Sequence, residues 1–158
     1  MTSKDRVLQR ERERGRLAAQ AVQEASPTMT GTELNAADDR IPRFKEAVKH
    51  KNMLDRTAGQ EDGFVCLSSE GRVVRLIQNY DSDVFTGEPE DLPAQFRFVW
   101  SQDPAKAKPF LASSTSYYNK GDCCLNAAGE PRRSKIDVNT FDPDANPQFW
   151  EDPYGGAV

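Results

Sequence analysis

The chain has 158 residues, 29% of them charged and 37% in the hydrophobic set, with a formal net charge of −4. A polar chain of this length buries one modest core or two thin ones, which excludes a large catalytic scaffold such as an α/β barrel of roughly 250 residues. It holds no apolar run of about 18 residues, so no membrane span is expected. The Arg/Glu-rich N-terminus has no apolar stretch of the kind a secretory signal carries, and none is expected. Charge is unevenly spread: residues 1–26 hold six basic and four acidic side chains, residues 27–158 fifteen and twenty-one. This is a slightly basic arm on an acidic body, and the negative total disfavours a nucleic-acid partner.

Residues 3–25 read as one helix, because Ala, Leu, Arg, Gln and Glu dominate and all are strong helix formers. Its apolar positions, Val7, Leu8, Leu17, Ala18, Ala21 and Val22, form a thin and interrupted stripe. Gly15 weakens the middle by about 1 kcal/mol relative to Ala. A helix that buries so little wants a partner, either copies of itself or a groove elsewhere. Ser26-Pro27 should close it, since the residue before proline avoids the helical region. Thr30 to Glu33 has the spacing of a capping box, predicting a short helix to about Asp39. Pro42 suits the first turn of another helix, to about Lys51, with Phe44, Ala47 and Val48 on one side. Arg43, Lys45 and Lys49 on this second helix admit a helix-turn-helix reading, which Asp38, Asp39 and the overall charge oppose.

From Gly63 the period changes. Residues 63–67 and 72–78 read as two strands joined by the turn Ser68 to Gly71. Residues 95–100 alternate as a third strand, placing Phe96, Phe98 and Trp100 on one face as a sheet core. Asp103 to Pro109, with two prolines, is expected to break the sheet. Residues 111–158 hold Tyr117, Tyr118, Phe141, Phe149, Trp150 and Tyr154, six of the chain's fourteen aromatics. Dense turn residues between them predict short strands in a small β module. A module this small cannot bury every ring. Exposed rings on a polar scaffold suit stacking on the C–H face of a sugar.

Several landmarks occur here in order: Tyr118-Asn119-Lys120-Gly121-Asp122-Cys123-Cys124, Asn126 to Glu130, Arg133 to Phe141, Pro143, and Pro147-Gln148-Phe149-Trp150-Glu151. Over about 45 residues this stretch resembles the chitin-binding-type carbohydrate-binding modules of families 5 and 12. Tyr118 fills the first aromatic slot, Gly121-Asp122 the turn, Cys124 the apolar slot, Gly129 the hairpin and Trp150-Glu151 the closing pair. Arg132 stands where the family has a second-strand aromatic. Pro131 beside it cannot donate to a ladder, so this strand is expected at an edge. The version with a proline loop before the closing Trp is similar to modules of phage and prophage tail-associated proteins. Residues 29–112, through Met29 to Glu33, Lys51-Asn52-Met53-Leu54, Gly63 to Cys66 and Arg72 to Gln78, are similar to a leader that precedes such modules. The resemblance implies a sugar-binding fold on a virion protein.

The expected class is α+β, in four segments: a helical arm (1–26), a short helix pair (27–55), a small antiparallel sheet (56–110) and a small all-β carbohydrate-binding-like module (111–158). The candidate sugar-binding residues are Tyr117, Tyr118, Phe141, Phe149, Trp150 and Tyr154, of which the closing Trp150 reads more readily as core than as a sugar platform. No catalytic residue, metal ligand or cofactor motif is assigned. His50 is the only histidine, no phosphate loop or nucleophile motif is present, and Glu88, Glu90 and Asp91 read as loop charges. Asp137, Asn139, Asp142 and Asp144 read as turn-makers rather than calcium ligands, because Phe141 occupies a ligand slot. Cys66, Cys123 and Cys124 are read as buried thiols, with a Cys66 bridge to either neighbour left open. Only one of the adjacent pair is expected to face a core. The functional expectation is a non-enzymatic phage virion or tail accessory protein. It would present a glycan-binding module to the host surface, dock on other virion proteins through residues 1–26 and self-associate, with a trimer one option. The alternative is a purely structural assembly part whose module no longer binds sugar.

Overall fold

The computed structural model describes residues 1–48, 63–78 and 80–157. The fold is α+β, with helices first and two small sheets after them. Helix α1 runs Ser3–Ala25 and passes into a 3-10 turn at Ser26–Thr28; Ser26 keeps helical angles (φ −54°, ψ −34°) despite the proline after it, a correction to the expectation, and the chain becomes extended at Met29. Its start carries a capping box from Thr2 to Asp5 that the sequence reading did not name. The predicted box at Thr30 and Glu33 opens α2, Gly31–Ala36, and a 3-10 turn at Asp38–Arg40 follows. Helix α3 covers Phe44–Ala47; its expected continuation through Lys49 and His50 to Lys51, and the Lys51 to Leu54 piece, lie outside the described residues.

The first sheet is antiparallel, in the order β1 (Val65–Leu67), β2 (Val73–Leu76), β3 (Phe96–Phe98). Gly71 closes the β1–β2 turn at φ 83°, a left-handed angle that suits glycine. Strand β2 is central and buried along its whole length. Val73 packs into a cluster with Val22, Leu34, Ala37, Ile41 and Val65, while Val74 and Leu76 face an aromatic cluster on the other side. The outer edge of β1 is not left open. The Gln23 amide donates to the Val65 carbonyl (2.7 Å) and its carbonyl accepts from the Val65 N–H (2.9 Å), and the Leu67 N–H bonds the Pro42 carbonyl (2.8 Å). Those bonds satisfy backbone groups that an edge strand would otherwise expose to pairing.

The second sheet has the order β4 (Lys108–Pro109), β5 (Cys123–Leu125), β6 (Pro131–Ser134), β7 (Trp150–Glu151). Two expectations are corrected. The segment read as a sheet-breaker ends in β4, which pairs parallel with β5; proline can sit there because β4 is a two-residue edge. The strand holding Pro131 is interior, not an edge. It tolerates proline because β7 reaches only Arg133 and Ser134, leaving Pro131 without a neighbour on that side.

One aromatic cluster joins the two sheets. Phe98, Trp100, Tyr118 and Phe110 stack in series, with centroids 5.9, 4.3 and 5.6 Å apart. Trp150 meets Tyr118 edge-on at 5.3 Å. The stripe read from residues 96–100 is therefore sheet core, and the boundary drawn at residue 110 runs through a shared interior. Arg72 clamps the same seam. Buried, it donates to the Pro109 and Phe110 carbonyls (2.8 and 3.1 Å) and pairs with Glu90 and Glu70 (both 3.0 Å). All three cysteines are free thiols and all are buried. Cys124 faces the aromatic cluster. Cys123, on the opposite face of β5, is covered by the segment at Ser101 and Gln102, so both of the adjacent pair are enclosed.

Candidate functional site

The six candidate rings do not form one platform. Tyr118 and Trp150 are 0% and 2% exposed, so both are core residues rather than sugar-stacking surfaces. The cause is the short module itself. With strands of two to four residues it recruits its one tryptophan and one of its three tyrosines to fill the space against Trp100 and Phe110. Burial raises the Tyr118 phenol well above its ordinary range, with Cys124 adding to the rise, and its oxygen accepts the Leu111 N–H at 3.1 Å. Phe141 and Phe149 stack on each other at 4.3 Å on the outside of the module, with Phe149 half-buried. Tyr154 is 69% exposed in the turn after β7, where Asp152 accepts its N–H. Among the described residues, Tyr117 and Tyr154 make no ring contact with the others.

Tyr117 occupies a different place. It lines a cleft of about 430 Å3 between β3, the start of α2 and the loop at 115–122. Arg97, Thr115, Ser116, Asn119 and Asp122 share that lining, with the Trp100 backbone region behind them. Strand alternation puts Arg97 here. Phe96 and Phe98 point to the core, so the residue between them must point away from it. Across the strand pair it lies opposite Arg75, whose buried guanidinium donates to the Ser26 and Met29 carbonyls (2.6 and 3.0 Å). Among the described residues the Arg97 guanidinium has no hydrogen-bond or ion-pair partner.

The cleft wall is built rather than incidental. The Ser116 hydroxyl accepts the Phe98 N–H at 2.9 Å, and its carbonyl accepts the Trp100 indole N–H at 2.8 Å. This closes the free edge of β3 and fixes the neighbouring Tyr117. A Cβ on Gly31 would collide with the Trp100 carbonyl, so α2 can approach the wall only through glycine. Asn35, fully buried behind it, donates to the Gly31 and Val99 carbonyls (2.8 and 3.1 Å). Asp122 accepts the Asn119 N–H at 2.8 Å. Burial raises its carboxyl above the usual range, against the lowering pull of the Asn119 N–H and Gln102, and Asp137 nearby adds to the rise.

No family model, curated protein or solved structure matches this chain. The site must therefore be judged on its chemistry. It offers a cationic fork, a carboxylate, an amide, hydroxyls and one half-exposed phenol ring. That set matches a ligand with many hydroxyl groups and an apolar face better than a flat hydrophobic one. Asp142 caps the backbone N–H groups of Asp144 and Ala145, Asp144 that of Ala127, and Asn139 that of Phe141. These residues act as turn-makers. Among the described residues no group of three metal-ligating side chains converges.

The sequence reading included Tyr117 but missed Arg97, Thr115, Ser116, Asn119 and Asp122 as its neighbours. One local signal pointed to Arg97: a charged residue between two core aromatics must face outward. Nothing local brings residue 97 to residues 115–122, because that contact depends on the fold of the seam.

Proposed function

We propose that this chain is a non-enzymatic accessory protein of a phage particle or tail that holds a host-surface glycan in the Tyr117 cleft. In this reading residues 1–26 dock it onto its neighbours. The observation that carries the reading is the cleft itself: one ring with a sugar-sized spread of polar groups around it, on a wall braced by Ser116, Gly31 and Asn35. Weak single-site contact would gain from many copies arrayed on one particle.

The test is retention of the full chain on chitin and on Gram-positive cell walls, with circular dichroism to show folding. Tyr117→Ala and Arg97→Ala should each reduce retention at least tenfold, the scale of about 1.4 kcal/mol per anchor. Phe141→Ala and Tyr154→Ala, outside the cleft, should retain it. Folded wild-type protein that binds neither surface would sink the glycan reading. The burial of Tyr118 and Trp150 favours what then remains, a module kept for assembly alone.

A further inference from the structure

Helix α1 is anchored at one end only. Val22 is buried against Leu34 and Ile41, and Gln23 is bonded to Val65, but residues 1–17 are all exposed. At 1.5 Å per residue the free part projects for more than about 20 Å. Its side turned away from the anchoring residues carries Arg6, Arg10, Arg14, Leu17 and Ala21, which recur at three- and four-residue spacing. Residues 1–17 hold six basic and three acidic side chains. Arg14 and Arg16 are satisfied within the helix by Glu11 and Glu13; among the described residues Arg6 and Arg10 have no carboxylate partner.

The opposite chemistry lies on the second sheet. A groove of about 200 Å3 has half-buried Phe110 and Leu125 and buried Pro143 in its lining, with exposed Asp142 and Asp144 on it. Residues 141–158 hold four acidic side chains and no Lys or Arg. Neither Asp142 nor Asp144 has a cationic partner among the described residues. The arm does not fill the groove of its own chain: Val22 and Gln23 fix its root, and among the described residues none of residues 1–17 lines that groove.

We propose that the arm of one copy docks in the Phe110–Asp144 groove of a second copy. Arginines would meet the two carboxylates, and Leu17 would cover the apolar floor. This rests on the reading of residues 1–26 as a docking element and is independent of the glycan cleft. The contact is heterologous, arm to groove, so it closes into a ring or runs on as a chain of copies. It specifies the expected self-association as head-to-tail rather than helix on helix.

Sedimentation velocity on the full chain tests it. At about 50 mM salt the wild type should grow beyond a dimer as concentration rises, and should revert toward monomer at about 1 M, where screening acts within about 3 Å. R6E/R10E and D142N/D144N should each be monomeric. The asparagines keep the turn-capping oxygens, and the arm variant touches no residue of the body. An equimolar mixture of the two should give a dimer and nothing larger, since it holds only one working arm and one working groove per pair. A wild type that stays monomeric, or a folded D142N/D144N that associates like wild type, would overturn the proposal. Glycan retention by monomeric R6E/R10E at high surface loading separates its failure from that of the cleft.

Discussion

In the first sheet all four residues of β2 are buried, and apolar side chains line both of its faces. In the second sheet the strands run two to four residues, and side-chain hydrogen bonds organise the turns between them. Asn139 is the centre of that arrangement. Fully buried, it exchanges backbone bonds with Tyr118 (3.0 and 2.7 Å), donates to Ser134 and Phe149, and accepts from Phe141. One region is held by apolar burial along a strand, the other by polar groups with defined hydrogen-bond partners. The lesson is that a module too small for its own core can still be rigid, if its turns are hydrogen-bonded and its large rings lean on a neighbour.

Trp150→Ala should have the largest effect, because that ring lies where the two regions meet. Removing a fully buried indole should cost about 4 kcal/mol. Because its ring packs on Tyr118 and Phe110, which stack in line with Trp100, the loss should weaken both sheets together. Urea unfolding checks it: Trp100 fluorescence and far-UV circular dichroism should shift to one common, lower midpoint. If the ellipticity falls while Trp100 reports an unchanged transition, the sheets are separate folding units.

Asn139→Leu removes the polar centre of the second sheet. Leucine keeps the branched shape with bulkier methyl ends; the Phe141 N–H loses its side-chain acceptor, and the Ser134 hydroxyl loses the amide donor while keeping its 2.7 Å bond to the Ile136 carbonyl. Leaving such groups buried costs about 1–3 kcal/mol. The same urea measurement should show a midpoint drop smaller than that of Trp150→Ala. A neutral result would mean that burial alone, not the polar network, holds the second sheet.

This contrast also explains what could be read from the chain. The β1–β2 hairpin, the Phe96-Phe98-Trp100 face and the Thr30 capping box were legible, because each depends on residues within a few positions of one another. Strand β4 was not, since Lys108–Pro109 becomes a strand only by pairing with Cys124–Leu125, far along the chain. The Gln23 bonds to Val65 and the Arg72 clamp escape a sequence reading for the same reason. In the module, composition flagged exposed rings correctly as a class. Which rings were exposed depended on Trp100 and Phe110, so Tyr118 was placed on the wrong side of the surface, while Trp150, a candidate that also reads as core, is buried. Of the cleft, only Tyr117 was legible.

A smaller effect is expected where the helices meet the second sheet. Asp38, after α2, receives Lys108 and Lys106 at 2.7 and 3.1 Å. Burial alone would raise its carboxyl, but the two lysines outweigh it and hold it below the ordinary value. A carboxyl lower in the folded than in the unfolded chain favours folding above its unfolded value, near pH 4. That contribution fades as pH falls through and below it. Asp38→Asn should therefore be less stable than wild type at pH 6, and the gap should narrow toward pH 3. Thermal midpoints at both pH values check this; a gap constant with pH would mean the lysines do not act through its charge.

The smallest effect lies outside both sheets and calibrates them. Gly15 sits in the exposed part of α1, and a Cβ there has no neighbour within 4 Å. Gly15→Ala should stabilise the helix locally by about 1 kcal/mol. Residues 1–17 are exposed and, among the described residues, none of them belongs to a core cluster, so that gain has no route into either sheet. At salt high enough to suppress association, amide exchange in the arm should slow about fivefold, the factor that 1 kcal/mol represents. The urea midpoint read by the fluorescence of Trp100 and Trp150 should not move. A midpoint that rises with the arm's protection would mean that α1 and the sheets unfold as one unit. The arm would then be part of the body's stability rather than a projecting element free to bind elsewhere.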